Sequence, residues 1–339
     1  MAAARAWARG FASGSGGVPN GARGMPLAWE AVSLSPETGQ LQVAPDVVPS
    51  GHGEGLGLVA FVHGLLGQGR NWRSLSARLL RNLRGGEMES GGGLRAALVD
   101  QRCHGRSARP LRAGDHTLAA AAEDLRATFS GPFAGWTPQV LVGHSLGGKV
   151  VLEYLRQVQA AGERAPAHVW VLDSFPGVNV HGGDGDAKGE IEGVLEVVQE
   201  LDLQRLGSDP RNEVDAIFAA RGFSPAFVSW LKTNLEPDPE SRSGRKKRWT
   251  FDVRGARDLY RSYLASDLLP VAMGAPEGTT VHVVRALDSD RWSDAAIAAL
   301  ESAAAQSPRL LVHNLPAAGH WLHMDNPKGL TKLLAGYPP

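Results

Sequence analysis

The sequence predicts an α/β domain in which a mostly parallel central sheet is flanked by helices and interrupted late by a helical cap. Three observations carry this. Short apolar runs alternate with stretches of helical spacing through the first half of the chain, the pattern of strands joined by crossover helices. Between Phe175 and about Ala275 the strand-like runs vanish and helical spacing remains. Two further apolar runs then follow, Thr280 to Ala286 and Arg309 to Leu315.

Taken in order, Leu27 to Ser35 and Leu41 to Val48 read as a leading antiparallel hairpin. Leu58 to Val62 is apolar throughout, as a strand covered on both faces must be. A helix from about Arg73 to Leu83, a Gly/Glu/Ser loop from Gly85 to Gly93 and a strand from Leu94 to Asp100 come next. A helix from about Leu118 to Phe129, a strand at Val140, a helix over Val150 to Gln159 and a strand at His168 to Leu172 complete the alternating part. The cap, about 176–275, shows helical spacing at Ile191 to Leu206, Glu213 to Arg221, Pro225 to Leu235 and Arg254 to Ser266. Its basic run Arg245-Lys246-Lys247-Arg248 reads as a solvated loop, and Leu322 to Leu334 reads as a closing helix. The domain spans 25–339.

Composition narrows the function. Basic and acidic residues number 35 each, which argues against nucleic acid as a partner. The one cysteine permits no internal disulfide, and no apolar run reaches bilayer length. Residues 1–24 carry arginines and no acid, with Arg5 and Arg9 on one helical face and Trp7 and Phe11 on the other. That composition reads as an organelle transit peptide, with Arg9-Gly10-Phe11-Ala12 resembling a mitochondrial processing site. The expected address is mitochondrial, the alternatives being chloroplast or, if residues 1–24 are a disordered tail without an address, cytoplasm.

The chemistry centres on Gly143-His144-Ser145-Leu146-Gly147, set between an apolar run and a helical stretch. This is the setting of a nucleophile elbow, a sharp strand-to-helix turn that exposes the serine hydroxyl. Gly143 and Gly147 supply the room the turn needs, and the Leu146 N–H faces a substrate oxygen. Acyl transfer needs a second oxyanion donor, and Leu65, after His63-Gly64 at the end of a buried strand, is placed to give it. His320, on a small-residue loop after the last strand, is the candidate base, while His323 reads as a surface or capping histidine. The acid stays open on spacing alone, because Asp173, Asp288 and Asp290 all follow strands between the serine and the histidine. Asp100-Gln101-Arg102-Cys103-His104-Gly105-Arg106-Ser107 reads as a bracing network, with His104 near the site but outside the chemistry. Phe223, Phe227, Trp230 and Trp249 divide between cap core and pocket wall. No metal or organic cofactor is required, and no His-Glu-x-x-His spacing occurs.

Five blocks carry a resemblance: His63 to Trp72, Asp100 to Ser107, Gly143 to Lys149, Leu172 to Pro176 and Gly319 to His323. They resemble the α/β-hydrolase superfamily and, within it, the small esterases related to abhydrolase domain-containing protein 11. Lys149 after the elbow and Asn71-Trp72 after the oxyanion loop are the more specific features. The resemblance implies an α/β-hydrolase fold and a serine esterase cleaving a small-molecule carboxylic ester or thioester through an acyl-enzyme. It implies Asp173 as the acid of the triad with Ser145 and His320, and leaves Asp288 as the alternative, since Leu287-Asp288-Ser289 stands where relatives read Gly-Asn-Ser. Cys103 and Leu146 stand where relatives tend to show asparagine and methionine. An acyltransferase on the same triad, or a non-catalytic binding member of the fold, are the alternatives. Epoxide hydrolases and haloalkane dehalogenases want an aspartate where Ser145 stands.

Overall fold

The computed structural model describes residues 24–35, 38–45, 57–84, 94–108, 114–131, 133, 137–179, 187–207, 209–241 and 246–338. The N-terminal segment before Gly24, the Gly85 to Gly93 loop, the end of the hairpin at Val48, and Arg245 lie outside them.

Eight strands form one sheet. They are β1 (Trp29–Leu34), β2 (Leu41–Pro45), β3 (Leu58–Val62), β4 (Arg95–Val99), β5 (Val140–His144), β6 (His168–Leu172), β9 (Thr280–Ala286) and β10 (Leu310–Leu315). β7 (Leu235–Pro237) and β8 (Lys247–Trp249) make a separate antiparallel ribbon. The main sheet runs β10-β9-β6-β5-β3-β4-β1-β2, parallel from β10 to β4, with β1 antiparallel to both of its neighbours. The expected hairpin is therefore β1–β2, and the strands β3, β6 and β9 begin and end on the residues the apolar runs predict.

The reason those runs read so clearly is burial on both faces. In β3, Leu58, Ala60 and Val62 enter one core, and Val59 and Phe61 enter the other, so every residue is buried despite the period of two. The helices α1 (Arg73–Arg84), α2 (Leu118–Ser130) and α3 (Leu146–Ala160) supply the covering faces: α1 packs into the second core, α2 and α3 into the first.

The segment between β6 and β9 holds α4 (Ala187–Glu200), α5 (Pro210–Ala220), α6 (Pro225–Leu231), α7 (Val253–Ala265) and α8 (Leu269–Met273). Most of its apolar residues form a third cluster around Val194, Phe218 and Leu231, joined by Leu66, while Leu268, Ala272 and Ala275 pack on the sheet. Four expectations need correction here. The helix read as Ile191 to Leu206 ends at Glu200, because Leu203 fills the cluster from a turn and prolongs the apolar spacing beyond the helix. The helix read to Leu235 ends at Leu231. Strand pairing does occur in this segment, but three-residue strands are too short to show a period of two. Lys247 and Arg248 of the basic run lie in that ribbon, and Arg248 pairs with Glu236 at 2.7 Å, so this part is not a free loop. Among the described residues no helix is long and apolar enough to cross a membrane.

Strand order reverses at β3, with β4 on one side and β5 on the other. Such a switch point opens a crevice beyond the carboxyl ends of the strands. Register aligns Val62 with Gly143, and His144 with Leu172, so the loops after β3, β5 and β6 start side by side.

Candidate active site

Five non-glycine residues among those described have positive φ: Leu66, Cys103, Ser145, Asp173 and Ala317, between 47° and 65°. All five follow the carboxyl ends of strands, after β3, β4, β5, β6 and β10. Each costs of order 1–3 kcal/mol and persists where its surroundings over-determine it.

Ser145 has φ 52° and ψ −120° between β5 and α3, and its N–H donates to Leu172 O at 3.0 Å. The elbow glycines are required by contact. A Cβ on Gly143 would overlap the Gly147 carbonyl, and one on Gly147 would lie 2.5 Å from the carbonyl oxygens of Val62 and His63. Gly64 sits against the serine, since a Cβ there would be 3.3 Å from Ser145 Cβ and 3.0 Å from His144 Nδ1. This brings the Leu65 segment alongside the elbow and the Leu146 end of α3.

Two neutral histidines fix that segment. His104 Nε2 accepts the Leu66 N–H at 3.0 Å, which puts its proton on Nδ1, and Nδ1 donates to Arg102 O at 2.8 Å. His63 Nε2 accepts the Gln101 N–H at 3.0 Å, and its Nδ1 donates to Gly64 O at 2.7 Å. Burial pushes His63 down to about 4 and His104 to about 3, so neither carries charge at neutral pH. The rest of the Asp100 to Ser107 block is a bracing network. Asp100 accepts the N–H groups of Gly69 at 2.7 Å and Arg106 at 2.9 Å, and Ser107 Oγ accepts that of Ala28 at 2.8 Å.

After α9 (Asp294–Gln306) and β10, His320 precedes the stretch read as one closing helix, which Asn326 and Pro327 split into α10 (Leu322–Asp325) and α11 (Pro327–Ala335). Its Nδ1 is 2.8 Å from Asp173 Oδ2, and its carbonyl accepts from His144 Nε2 at 2.7 Å. Asp173 is fully buried and accepts three more hydrogen bonds: Ala286 N–H at 3.1 Å, Trp292 Nε1–H at 2.7 Å and Ser289 Oγ–H at 2.6 Å. Asp288 is exposed and reaches the His320 loop only through its backbone N–H, bonded to Ala318 O at 2.9 Å. Asp290 is exposed and pairs with Arg291 at 3.2 Å. Of the three carboxylates left open by spacing, the structure brings Asp173 to the imidazole. Ser289 and Trp292 complete its shell, and only the packing of distant segments reveals them.

Ser145 and His320 line one cavity of about 360 Å³, together with Gly64, Leu65 and Leu66. Phe227, Trp230 and Val194 form apolar wall, and so does Trp321, which stacks over Phe227 and lies tilted against Trp230 with ring centroids 5.5 Å apart. Phe223 and Trp249 instead pack within the third cluster. His323 is not a surface histidine. It borders the cavity with its ring 4.7 Å from that of Trp72, and burial pushes it down to about 4. Trp72, brought in from far upstream, covers it.

Lys149 is fully buried with Nζ donating to three carbonyls, Gly177 at 2.7 Å, Tyr263 at 2.8 Å and Ser266 at 2.9 Å. It ties the elbow helix to the chain leaving Asp173 and to the end of α7.

The sequence pattern of the alpha/beta hydrolase family matches residues 59–333. A mouse (Mus musculus) protein described as an sn-1-specific diacylglycerol lipase, ABHD11, is 34% identical over 94 residues, covering 28% of this chain. That match spans only 26% of the mouse protein's length. Among solved structures, a marine microorganism esterase superposes with a TM-score of 0.64 at 21% identity, covering 84% of this chain and 96% of its own. An E-2-(acetamidomethylene)succinate hydrolase gives 0.59 at 21% identity over 83% and 91% of the two chains. An esterase from Exiguobacterium antarcticum gives 0.58 at 15% identity over 93% and 98%. At these identities the likeness is one of fold.

Proposed function

The chain belongs to the alpha/beta hydrolase family, and on that premise we propose that it is a serine esterase cleaving carboxylic esters or thioesters through an acyl-enzyme. The observation that carries this is the bond from His320 Nδ1 to Asp173 Oδ2 beside the cavity that Ser145 shares. A proton held on Nδ1 by a carboxylate leaves the Nε2 lone pair free to act as base. Ser145 then attacks the ester carbonyl as its proton passes to His320. The Leu65 and Leu146 N–H groups receive the developing oxyanion at the N-terminus of α3, where the helix dipole also favours negative charge. His320 returns the proton to the departing alcohol or thiol, then takes one from the water that attacks the acyl carbon and passes it to Ser145 Oγ as the acid leaves.

The apolar walls and the partial similarity to a diacylglycerol lipase favour an apolar acyl group. A cavity of about 360 Å³ is at the small end of the roughly 300–1,000 Å³ range of ligand pockets, which favours short to medium chains. From the composition of residues 1–24 we also propose mitochondrial import. The test of the activity is Ser145→Ala in hydrolysis of short-chain p-nitrophenyl esters. Loss of turnover in a folded variant is expected, and wild-type turnover would remove Ser145 from the mechanism.

A further inference from the structure

We propose that Cys103, His116 and Asp252 form a binding site for a thiophilic divalent cation of the zinc class, separate from the hydrolase site. The three residues come from different segments: the loop after β4, the approach to α2, and the N-cap of α7. One ligand atom from each lies within 4.8 Å of the others, and Cys103 Sγ is 3.3 Å from His116 Nδ1. Zinc–sulfur and zinc–nitrogen bonds of about 2.3 and 2.0 Å at a tetrahedral angle put the two donors about 3.5 Å apart. This pair already stands near the spacing that a shared ion needs.

A thiol–imidazole hydrogen bond alone would give the same distance, so the surroundings decide. A Cβ on Gly255 would overlap Cys103 Sγ and lie 3.0 Å from Asp252 Oδ2 and 3.1 Å from His116 Cδ2. Without a side chain at Gly255, the backbone of α7 packs directly against all three groups and holds them together at one place. Asp252 Oδ1 caps α7 through the Arg254 N–H at 3.1 Å, and Oδ2 is the oxygen that lies against the Gly255 position. Thiolate, imidazole and carboxylate together suit zinc; magnesium and calcium prefer oxygen ligands throughout. Cys103 is buried while His116 and Asp252 are half-buried, which gives a hydrated ion a route from the surface. No single stretch of sequence shows the spacing, because the ligands lie on three separate segments.

On binding, the thiol loses its proton to solvent, metal–sulfur, metal–nitrogen and metal–oxygen bonds form, and a water leaves the ion for each of the three. Three protein ligands leave the fourth position to water. The Cys103 carbonyl already accepts the Asp252 N–H at 2.8 Å, so the ion would lock an existing joint between the β4 loop and α7. None of the three residues lines the cavity that holds Ser145 and His320.

The test is titration of the chelator-stripped full chain with Co²⁺. A thiolate-to-cobalt absorption band is expected, saturating at one ion per chain and displaced by Zn²⁺. It should vanish in Cys103→Ser and persist in Ser145→Ala, which separates this site from the hydrolase reading. His116→Ala, at a half-buried position, guards against a Cys103→Ser protein that fails to fold; its cobalt affinity should fall by at least about tenfold. Absence of the band in natively folded wild-type protein, its survival in Cys103→Ser, or unchanged affinity in His116→Ala would each overturn the proposal.

Discussion

Replacing Asp173 by asparagine changes one oxygen to an NH₂ and tests the assignment of the acid. Oδ1 survives, so the Ala286 and Trp292 N–H groups keep their acceptor and the loop keeps most of its shell. Where Oδ2 accepts from His320 and Ser289, an NH₂ would now donate. The imidazole answers by placing its proton on Nε2, the nitrogen meant to deprotonate Ser145. The lost carboxylate also no longer steadies the imidazolium formed during attack. In a serine triad this change costs about 10⁴ in kcat, or about 5.4 kcal/mol of barrier at 1.36 kcal/mol per decade. The assay is kcat on p-nitrophenyl butyrate across pH, with the rate of fluorophosphonate labelling as a second readout. Asp288→Asn, at an exposed position, should stay within about twofold of wild type. A loss below tenfold in Asp173→Asn, or a comparable loss in Asp288→Asn, refutes the assignment.

Three other outcomes follow from the same geometry. Lys149→Met strips the hydrogen bonds from three carbonyls and should destabilise the fold by about 3 kcal/mol or more in urea unfolding; a change under about 0.5 kcal/mol would mean those bonds contribute little. Stability should fall as pH drops from about 6.5 toward 4, because His63 and His104 stay neutral in the fold while unfolded imidazoles take up protons; the linked loss is of order 3 kcal/mol per histidine near pH 4, and a melting temperature flat over that window would contradict it. Trp230→Ala removes cavity wall and should shift the preference among p-nitrophenyl esters toward longer acyl chains, whereas an unchanged chain-length profile would place the acyl group elsewhere.

The legible part of the sequence was what local physics dictates. Leu58 to Val62 and His168 to Leu172 are apolar because both sheet faces are covered, so their boundaries could be read directly. Gly143 and Gly147 were readable because the turn around Ser145 leaves no space for a Cβ. What escaped depends on contacts between distant segments. Spacing left Asp173, Asp288 and Asp290 equivalent, and only packing brings Trp292, Ser289 and His320 around one of them. The cover over His323 is not legible locally, because the Trp72 ring that supplies it lies about 250 residues upstream in the chain. The ribbon of Leu235–Pro237 with Lys247–Trp249 was missed because its short strands give pattern analysis too little to register.

The central claim is that the Ser145 hydroxyl is the group His320 activates. Peptide mapping by mass spectrometry after treatment with a fluorophosphonate tests it most directly. The account predicts one adduct per chain, on the peptide containing Ser145, forming far more slowly in His320→Ala. An adduct on another residue, none on a folded chain that still hydrolyses esters, or equal labelling rates with and without His320 would contradict it.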